Sequence, residues 1–153
     1  MKNKKKKDKE ALVAVSGYFN PVHIGHIRMF EEAKKLGTKL VVIINNDKQV
    51  KLKGSCPFIN EKERMEIIAS FAVVDSIILA IDEDRTVCKT LGLIKPDIFA
   101  NGGDRIRKNI PEVTVCKKIN CKMVFNVGRR GKIQSSSWLL KKFLKSARIY
   151  QKS

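Results

Sequence analysis

The chain has 153 residues, of which 43% are hydrophobic, and this is enough for one substantial core but too short for two ordinary domains. Its formal charge of +17 favours polyanionic partners such as nucleic acid, anionic membrane or free nucleotides, without choosing among them. No apolar run approaches the ~20 residues of a membrane span, and the N-terminus lacks the apolar centre of a secretory signal, so the sequence predicts a cytoplasmic protein.

Residues 1–10 form a basic segment with six lysines and two acids, and therefore a local charge of +4. Such a segment is typical of a solvated tail, although a nucleic-acid arm or a targeting signal has the same composition. We predict a disordered basic tail over residues 1–10 and one folded domain over residues 11–153. The four cysteines contain no CxxC pair, which favours reduced thiols over a zinc site.

Beyond the tail, short runs rich in valine and isoleucine alternate with helical patterns, as in βαβ units around a parallel sheet. In chain order, the predicted strands cover residues 11–15, 40–44, 76–81, 97–100 and 123–127. The predicted helices cover residues 24–36, 61–71, 85–93, 111–119 and 135–147. The sequence therefore predicts an α/β fold with a Rossmann-like, doubly wound, five-stranded parallel sheet and helices on both faces.

Residues 47–56 are polar and lack periodicity, which predicts a mobile loop after the second strand. Ligands of doubly wound sheets bind outside the carboxyl ends of the strands, where the strand order reverses. Four unusual segments follow predicted strands, and we expect them to converge on that edge: residues 17–26, 47–56, 101–105 and 128–137.

Both histidines of the chain, His23 and His26, lie three residues apart where the first strand hands over to a helix. At that spacing they share a helix face, beside backbone N–H groups that favour anions. Gly25 leaves room between them, Pro21 stiffens the turn, and Gly17 has no side chain to obstruct a ligand. Imidazole donors placed there can stabilise negative charge on a phosphoryl group in transfer.

The frame Gly-Tyr-Phe-Asn-Pro-Val-His-Ile-Gly-His at residues 17–26 resembles the HxGH signature of the cytidylyltransferase-like nucleotidyltransferases. The similarity spans roughly residues 11–140 and is closest to the branch of heptose-1-phosphate adenylyltransferase and glycerol-3-phosphate cytidylyltransferase. Further matches lie at residues 44–47, 52–54, 63–65, 74–75 and 102–104. Residues 132–137 resemble the second motif of the family, an Ile-Ser-Ser/Thr-Ser/Thr element at a helix start.

The resemblance implies transfer of CMP or AMP from CTP or ATP to a phosphorylated small molecule, with release of pyrophosphate and with Mg²⁺ on the triphosphate. It also implies a homodimer. The resemblance assigns catalysis to His23, His26 and Lys53, and an acceptor contact to Lys51 and Arg64. Nucleotide binding falls on a larger set: Gly17, Tyr18, Phe19, Asn20, Gly25, Gly103, Asp104, Arg129, Gln134, Ser135, Ser136 and Ser137. No metal ligand is assigned.

Several of these residues also have simpler structural explanations. The three serines can cap a helix, Asp104 can belong to a loop turn, and Arg64 can form a salt bridge with Glu61 or another acid. The cytidylyltransferases of this branch carry Asp where this chain has Asn20, so an amide replaces a carboxylate that could assist the metal. The second motif also departs from the cytidylyltransferase pattern, which weakens the transfer of CTP specificity.

Two other functions compete with nucleotidyl transfer. Class I aminoacyl-tRNA synthetases share the His-Ile-Gly-His sequence, but they are far longer and carry a Lys-Met-Ser-Lys-Ser-like loop that this chain lacks. A basic module that retains the fold without the chemistry would bind nucleic acid in a salt-sensitive way. The aromatic content of 7% offers no evident stacking platform, so the sequence favours the enzyme.

Overall fold

The computed structural model describes residues 10–103, 105, 110–128 and 133–150. Residues 149 and 150 are described through their backbone alone. Five strands alternate with helices: β1 (Leu12–Gly17), β2 (Lys39–Ile44), β3 (Ser76–Leu79), β4 (Ile98–Gly102) and β5 (Lys122–Val127). The helices are α1 (Ile24–Lys34), α2 (Asp47–Leu52), α3 (Glu61–Ala69), α4 (Cys88–Ile94), α5 (Val113–Lys118) and α6 (Ser136–Tyr150). All five predicted strands and all five predicted helices are present, with ends shifted by a few residues.

The five strands form one parallel sheet in the order β3-β2-β1-β4-β5. The chain moves outward from β1 to β3 and then returns to the other side of β1 to add β4 and β5. The order therefore reverses between β1 and β4, which confirms the predicted doubly wound sheet. The carboxyl ends of these two strands mark the place where such sheets bind ligands.

Alternating side chains of the central strands build a core on each face of the sheet. On one face, Val13, Val15 and Leu40 pack with Phe30 of α1 and Ile68 of α3. On the other face, the intervening strand residues pack with side chains of α4 and α5, among them Ala14, Val41, Ile43, Leu91 and Cys116. Burial of β1 and β2 on both sides explains why their sequences are continuous apolar runs rather than alternating ones.

The predicted mobile loop at residues 47–56 is wrong for its first half, which forms helix α2. The Asn46 side chain accepts a hydrogen bond from Gln49 N–H at 2.9 Å, and Gln49 Oε1 accepts from Asn46 N–H at 3.1 Å. Gln49 is fully buried, and its Nε2 donates to the carbonyls of Asp84 and Thr86 at 2.7 Å each. This reciprocal cap has a sequence signature, Asn-x-x-Gln, that would have predicted the helix.

Helix α6 carries large apolar side chains on its surface, since Trp138, Phe143 and Leu144 are each at least half exposed. Its exposed cations include Lys141, Lys142 and Lys145. Among the described residues, no helix combines the length and the apolar character needed to cross a membrane. The predicted tail lies almost wholly outside the described residues, which begin at Glu10, and it stays a prediction.

Candidate active site

A cavity of about 530 Å³ opens where the strand order reverses. Its walls come from the chain after β1, the end of α2 with the following turn, the chain after β4, and the start of α6. The predicted convergence of four segments on one edge of the sheet is therefore confirmed for the residues that the structure describes. We call residues 17–26 the histidine loop and residues 47–58 the lysine segment.

The two histidines of the histidine loop stack on each other at the start of α1, with ring centroids 3.7 Å apart. His23 is the N-cap of the helix, and its Nδ1 accepts a hydrogen bond from Gly25 N–H at 3.1 Å. His23 N–H in turn donates to Nδ1 of His26 at 3.2 Å. A Cβ on Gly25 would lie 2.9 Å from Cε1 of His23, so glycine is required here by the ring that it accommodates.

These bonds define the proton positions on both rings. Because each Nδ1 accepts from a backbone N–H, a neutral ring carries its proton on Nε2. Burial lowers the pKa of His26 to about 3, and the charges of His23 and Lys53 act in the same direction. His26 is thus neutral at pH 7, and it offers an N–H donor rather than a formal charge.

Gly17 and Phe19 shape the wall of the cavity by packing on each other. A Cβ on Gly17 would lie 2.8 Å from Cζ of Phe19, which is buried and has a positive φ of 50°. The absence of a side chain at Gly17 thus makes room for the Phe19 ring, while Gly17 itself lines the cavity and its contact with a nucleotide stays a prediction. Phe19 also meets the ring of His26 edge-on at a centroid distance of 4.8 Å, so it supports the histidine pair.

Asn20 is buried and uses its amide within the protein. Its Nδ2 donates to the carbonyl of Cys56 at 2.9 Å, and its Oδ1 accepts from Phe58 N–H. The side chain lies at the cavity wall, but both ends of the amide are bonded to the lysine segment. The Asn20 amide therefore connects two walls of the cavity, and the nucleotide contact assigned to Asn20 stays a prediction.

The two lysines of the lysine segment that were assigned functions are placed differently. Lys53 lines the cavity, and its Nζ lies 4.4 Å from the centroid of the Tyr18 ring, a cation–π contact. Lys51 is exposed on α2 and does not line the cavity. The structure thus places Lys53 and Tyr18 on the cavity wall and Lys51 away from it, and the acceptor contact of Lys51 stays a prediction.

Arg64 does not reach the cavity, and its predicted acceptor contact is contradicted by its burial. Its side chain is fully buried, and its guanidinium donates to Asp47 Oδ1 at 2.7 Å, to the carbonyl of Asn45 at 2.8 Å and to the carbonyl of Tyr18. The alternative salt bridge is present, with Asp47 rather than Glu61 as partner. Arg64 joins the histidine loop to the start of α2.

The serine-rich start of α6 combines capping with a position on the cavity. Ser135 Oγ accepts from Trp138 N–H at 3.2 Å, as an N-cap does, and lies 3.1 Å from Ser137 Oγ. Ser136 Oγ donates to the carbonyl of Pro21 at 2.8 Å, which ties this helix to the histidine loop. All three serines and Gln134 line the cavity. Their predicted contacts with a nucleotide stay a prediction.

The remaining predicted residues divide into described and undescribed ones. Gly103 lines the cavity with a positive φ of 68°, a conformation that favours glycine. Asp104 and Arg129 lie outside the described residues. Sequence reasoning assigned no role to Ser55, Asn101 or Arg105, although all three line the cavity. Arg105 directly follows the Gly-Gly-Asp turn, and this adjacency was the available signal.

The described wall of the cavity has a positive electrostatic character. It includes Lys53 and Arg105, both histidines and the hydroxyl groups at the start of α6, whereas no aspartate or glutamate lines it. Hydrogen-bond donors, cations and a helix N-terminus suit phosphate oxygens. Among the described residues, no three His, Cys, Asp or Glu side chains are grouped to hold a metal ion.

Comparison with known proteins gives consistent results. Residues 14–142 match the family model described as Cytidylyltransferase-like. The FAD synthase of Thermoplasma volcanium is 34% identical over 137 residues, which make up 86% of this chain and 93% of that enzyme. The bifunctional protein HldE of Koribacter versatilis is 38% identical over 101 residues, so the match covers 65% of this chain and a fifth (20%) of HldE.

A solved structure supports the same assignment of the fold. The lipopolysaccharide core biosynthesis protein from Thermoplasma volcanium GSS1 superposes with a TM-score of 0.67 at 33% sequence identity. The superposition covers 78% of this chain and 98% of that protein.

Proposed function

The chain belongs to the cytidylyltransferase-like family of nucleotidyltransferases, and on that premise we propose that it transfers a nucleoside monophosphate from a nucleoside triphosphate to a phosphorylated small molecule. An oxygen of the acceptor phosphate attacks the α-phosphorus and forms the new P–O bond. The bond from the α-phosphorus to the bridging oxygen breaks, and its electron pair leaves with pyrophosphate.

The observation that carries this proposal is the stacked histidine pair at the N-terminus of α1, on the wall of a cavity without described carboxylates. The Nε2–H donors of the two rings would bond to phosphoryl oxygens as negative charge moves toward the leaving group. Because His26 is neutral at pH 7, it would act here as an uncharged hydrogen-bond donor. Phosphoryl transfer depends mainly on such positioning and electrostatic stabilisation.

The other walls would hold the rest of the triphosphate. The ammonium of Lys53 faces the cavity from the lysine segment, and we propose that it neutralises charge on the triphosphate. Ser135, Ser136 and Ser137 would offer their hydroxyls and N–H groups at the start of α6 to the terminal phosphates. Closure of these walls around the ligand would exclude water, which protects the triphosphate from hydrolysis.

We propose ATP as the nucleotide donor, with CTP as the alternative. The FAD synthase match spans almost the whole of that enzyme, and FAD contains an AMP unit joined to flavin mononucleotide. The HldE match covers a fifth of a longer protein and gives less information on the acceptor. Flavin mononucleotide and sugar phosphates are accordingly the first acceptors to test.

Mg²⁺ would enter bound to the triphosphate, as part of the substrate. The described cavity wall supplies imidazole, ammonium, guanidinium and hydroxyl groups, which suit phosphate oxygens, whereas Mg²⁺ prefers carboxylate and water oxygens. The ion would neutralise charge on the phosphates, and the residues of this chain would orient them.

A pyrophosphate-release screen tests the proposal. ATP and CTP are each combined with flavin mononucleotide, sugar phosphates, glycerol phosphate and phosphocholine in the presence of Mg²⁺. We expect turnover with one pair and a loss of about 100-fold or more in kcat for His26→Ala. Lys53→Ala should lose at least about tenfold, whereas the matched control Lys48→Ala, an exposed α2 lysine outside the cavity wall, should stay within about twofold.

Two results would contradict the proposed function. One is the absence of turnover with every pair, and the other is equal turnover by wild-type protein and His26→Ala. Salt-sensitive binding of DNA or RNA that is unchanged by His26→Ala would instead support the basic nucleic-acid-binding module.

A further inference from the structure

We propose that Asn20 is a positioning residue, whose amide holds the lysine segment against the histidine loop and so sets the place of Lys53 beside His23 and His26. This inference rests on the proposed function, because it takes Lys53 as a ligand of the triphosphate. The contacts that support it lie at the start, the middle and the end of the lysine segment.

The start of the lysine segment is held through Arg64. The guanidinium bonds to Asp47 Oδ1 at 2.7 Å and also donates to the carbonyl of Tyr18 in the histidine loop. Asp47 N–H donates to Glu61 Oε2 at 2.8 Å, so the first turn of α2 is also bonded to the first turn of α3. One buried cation therefore connects the loop after β1 with the first residue of α2.

The middle of the segment meets the same loop through Lys53. The Lys53 backbone closes the last turn of α2, where its N–H donates to the carbonyl of Gln49 at 3.0 Å. Its Nζ then lies over the Tyr18 ring, 4.4 Å from the centroid. The following turn is closed by Ser55 N–H, which donates to the carbonyl of Val50 at 3.2 Å. The ammonium thus sits on a side chain that belongs to the histidine loop.

The end of the segment is held by Asn20 itself. The Nδ2 group donates to the carbonyl of Cys56 at 2.9 Å, and Oδ1 accepts from Phe58 N–H. Asn20 is 5% exposed, so these bonds are shielded from water and their loss is not readily compensated. The start of the segment is tied to Tyr18 and its end to Asn20, two residues that also belong to the loop carrying the histidines.

The chemistry of the contact requires an amide. A carboxylate at position 20 could still accept from Phe58 N–H, but it has no hydrogen to donate to the carbonyl of Cys56. Two acceptor oxygens would then face each other in a buried place, which is unfavourable. Aspartate at this position would therefore need a different path for the lysine segment, and this accounts for the amide in the present chain.

A double-mutant cycle on nucleotide binding tests whether Asn20 acts through Lys53. The affinity for Mg·ATP is measured by calorimetry for wild type, Asn20→Ala, Lys53→Ala and the double variant. We expect Lys53→Ala to weaken binding about tenfold and Asn20→Ala by a similar factor. In the Lys53→Ala background, loss of Asn20 should change the affinity less than twofold. If the affinity loss of the double variant instead equals the product of the two single losses, the proposal is overturned and a direct contact between Asn20 and the nucleotide is indicated.

Amide hydrogen exchange tests, independently of nucleotide binding, whether Asn20 holds the end of the lysine segment against the histidine loop. In Asn20→Ala, exchange at Phe58 and Ser55 should accelerate at least about tenfold, because both amides lie in the released part of the segment. Asn60 caps α3, because its Oδ1 accepts from Glu63 N–H at 3.0 Å. The control Asn60→Ala removes this cap and should leave hydrogen exchange at Phe58 unchanged. Unaltered protection of Phe58 and Ser55 in Asn20→Ala would overturn the proposal that Asn20 holds the lysine segment. Wild-type protein without affinity for either Mg·ATP or Mg·CTP would reject the proposed function, while hydrogen exchange would still decide whether Asn20 holds the lysine segment.

Discussion

The histidine loop and the lysine segment line the same cavity, yet they are held in place in different ways. Within the histidine loop, the positions of the rings are set by neighbouring residues, since Gly17 accommodates Phe19, and Gly25 accommodates the capping ring of His23. The lysine segment is fixed by residues distant in sequence, because Asn20 bonds to its end and Arg64 to its start. A motif records the first kind of support, whereas the second becomes visible once the chain is folded.

The largest effect should come from breaking the distant support. Arg64→Leu removes a fully buried cation and leaves Asp47 and two backbone carbonyls without their donor. Loss of one partner of such a pair should lower the free energy of unfolding by about 3 kcal/mol. Urea unfolding measures this change, and Arg148→Leu on the exposed face of α6 should alter it by under about 0.5 kcal/mol. Equal stability of the two variants would contradict the structural role of Arg64.

A somewhat smaller effect should follow from disturbing the local support. Gly25→Ala places a methyl group 2.9 Å from the His23 ring, which must then move from its stacked position on His26. Misplacement of this kind should lower kcat about 100-fold. The control Gly92→Ala puts a methyl group in α4 with its nearest neighbour 3.8 Å away. Turnover of Gly25→Ala at the level of Gly92→Ala would show that the ring position is not critical.

The pH dependence of stability sharpens the comparison with a smaller effect. Because the folded pKa of His26 is lowered to about 3, the unfolded chain binds a proton below pH ~6.5 that the folded chain rejects. The contribution of neutral His26 to the free energy of unfolding is therefore fully present above pH ~6.5 and is lost as the pH falls below that value. Between pH 7 and pH 5, wild type should lose about 2 kcal/mol more than His26→Gln in urea unfolding. Parallel pH profiles of the two proteins would contradict the burial of a neutral His26.

The fold was predictable because its signals are local and repeated. Apolar runs as short as those of β1 and β2 require a sheet buried on both faces, and the alternation with helices implies parallel strands. Helix α2 was missed because lysines and a glycine obscured the Asn46–Gln49 cap, a polar signal without hydrophobic periodicity. The homodimer and the cytoplasmic location stay predictions from sequence.

The site was predictable where glycine and histidine carry the geometry, as in the frame of His23, Gly25 and His26. It was not predictable where a side chain could either enter the cavity or turn into the protein. Arg64 and Lys51 had the charge to bind an acceptor, but burial and helix direction, respectively, place them elsewhere. Asn20 was recognised as a departure from a motif, while its partners at Cys56 and Phe58 depend on the path of a distant segment.

The bond from Ser136 Oγ to the carbonyl of Pro21 has a consequence for the order of assembly. It joins residues 115 positions apart, and all five strands of the sheet lie before Ser136 in the chain. Contacts between such distant residues carry a high entropic cost of closure and favour late formation during folding. The sheet can thus be complete before the cavity is, and the capacity to bind a ligand arises with the last wall to dock.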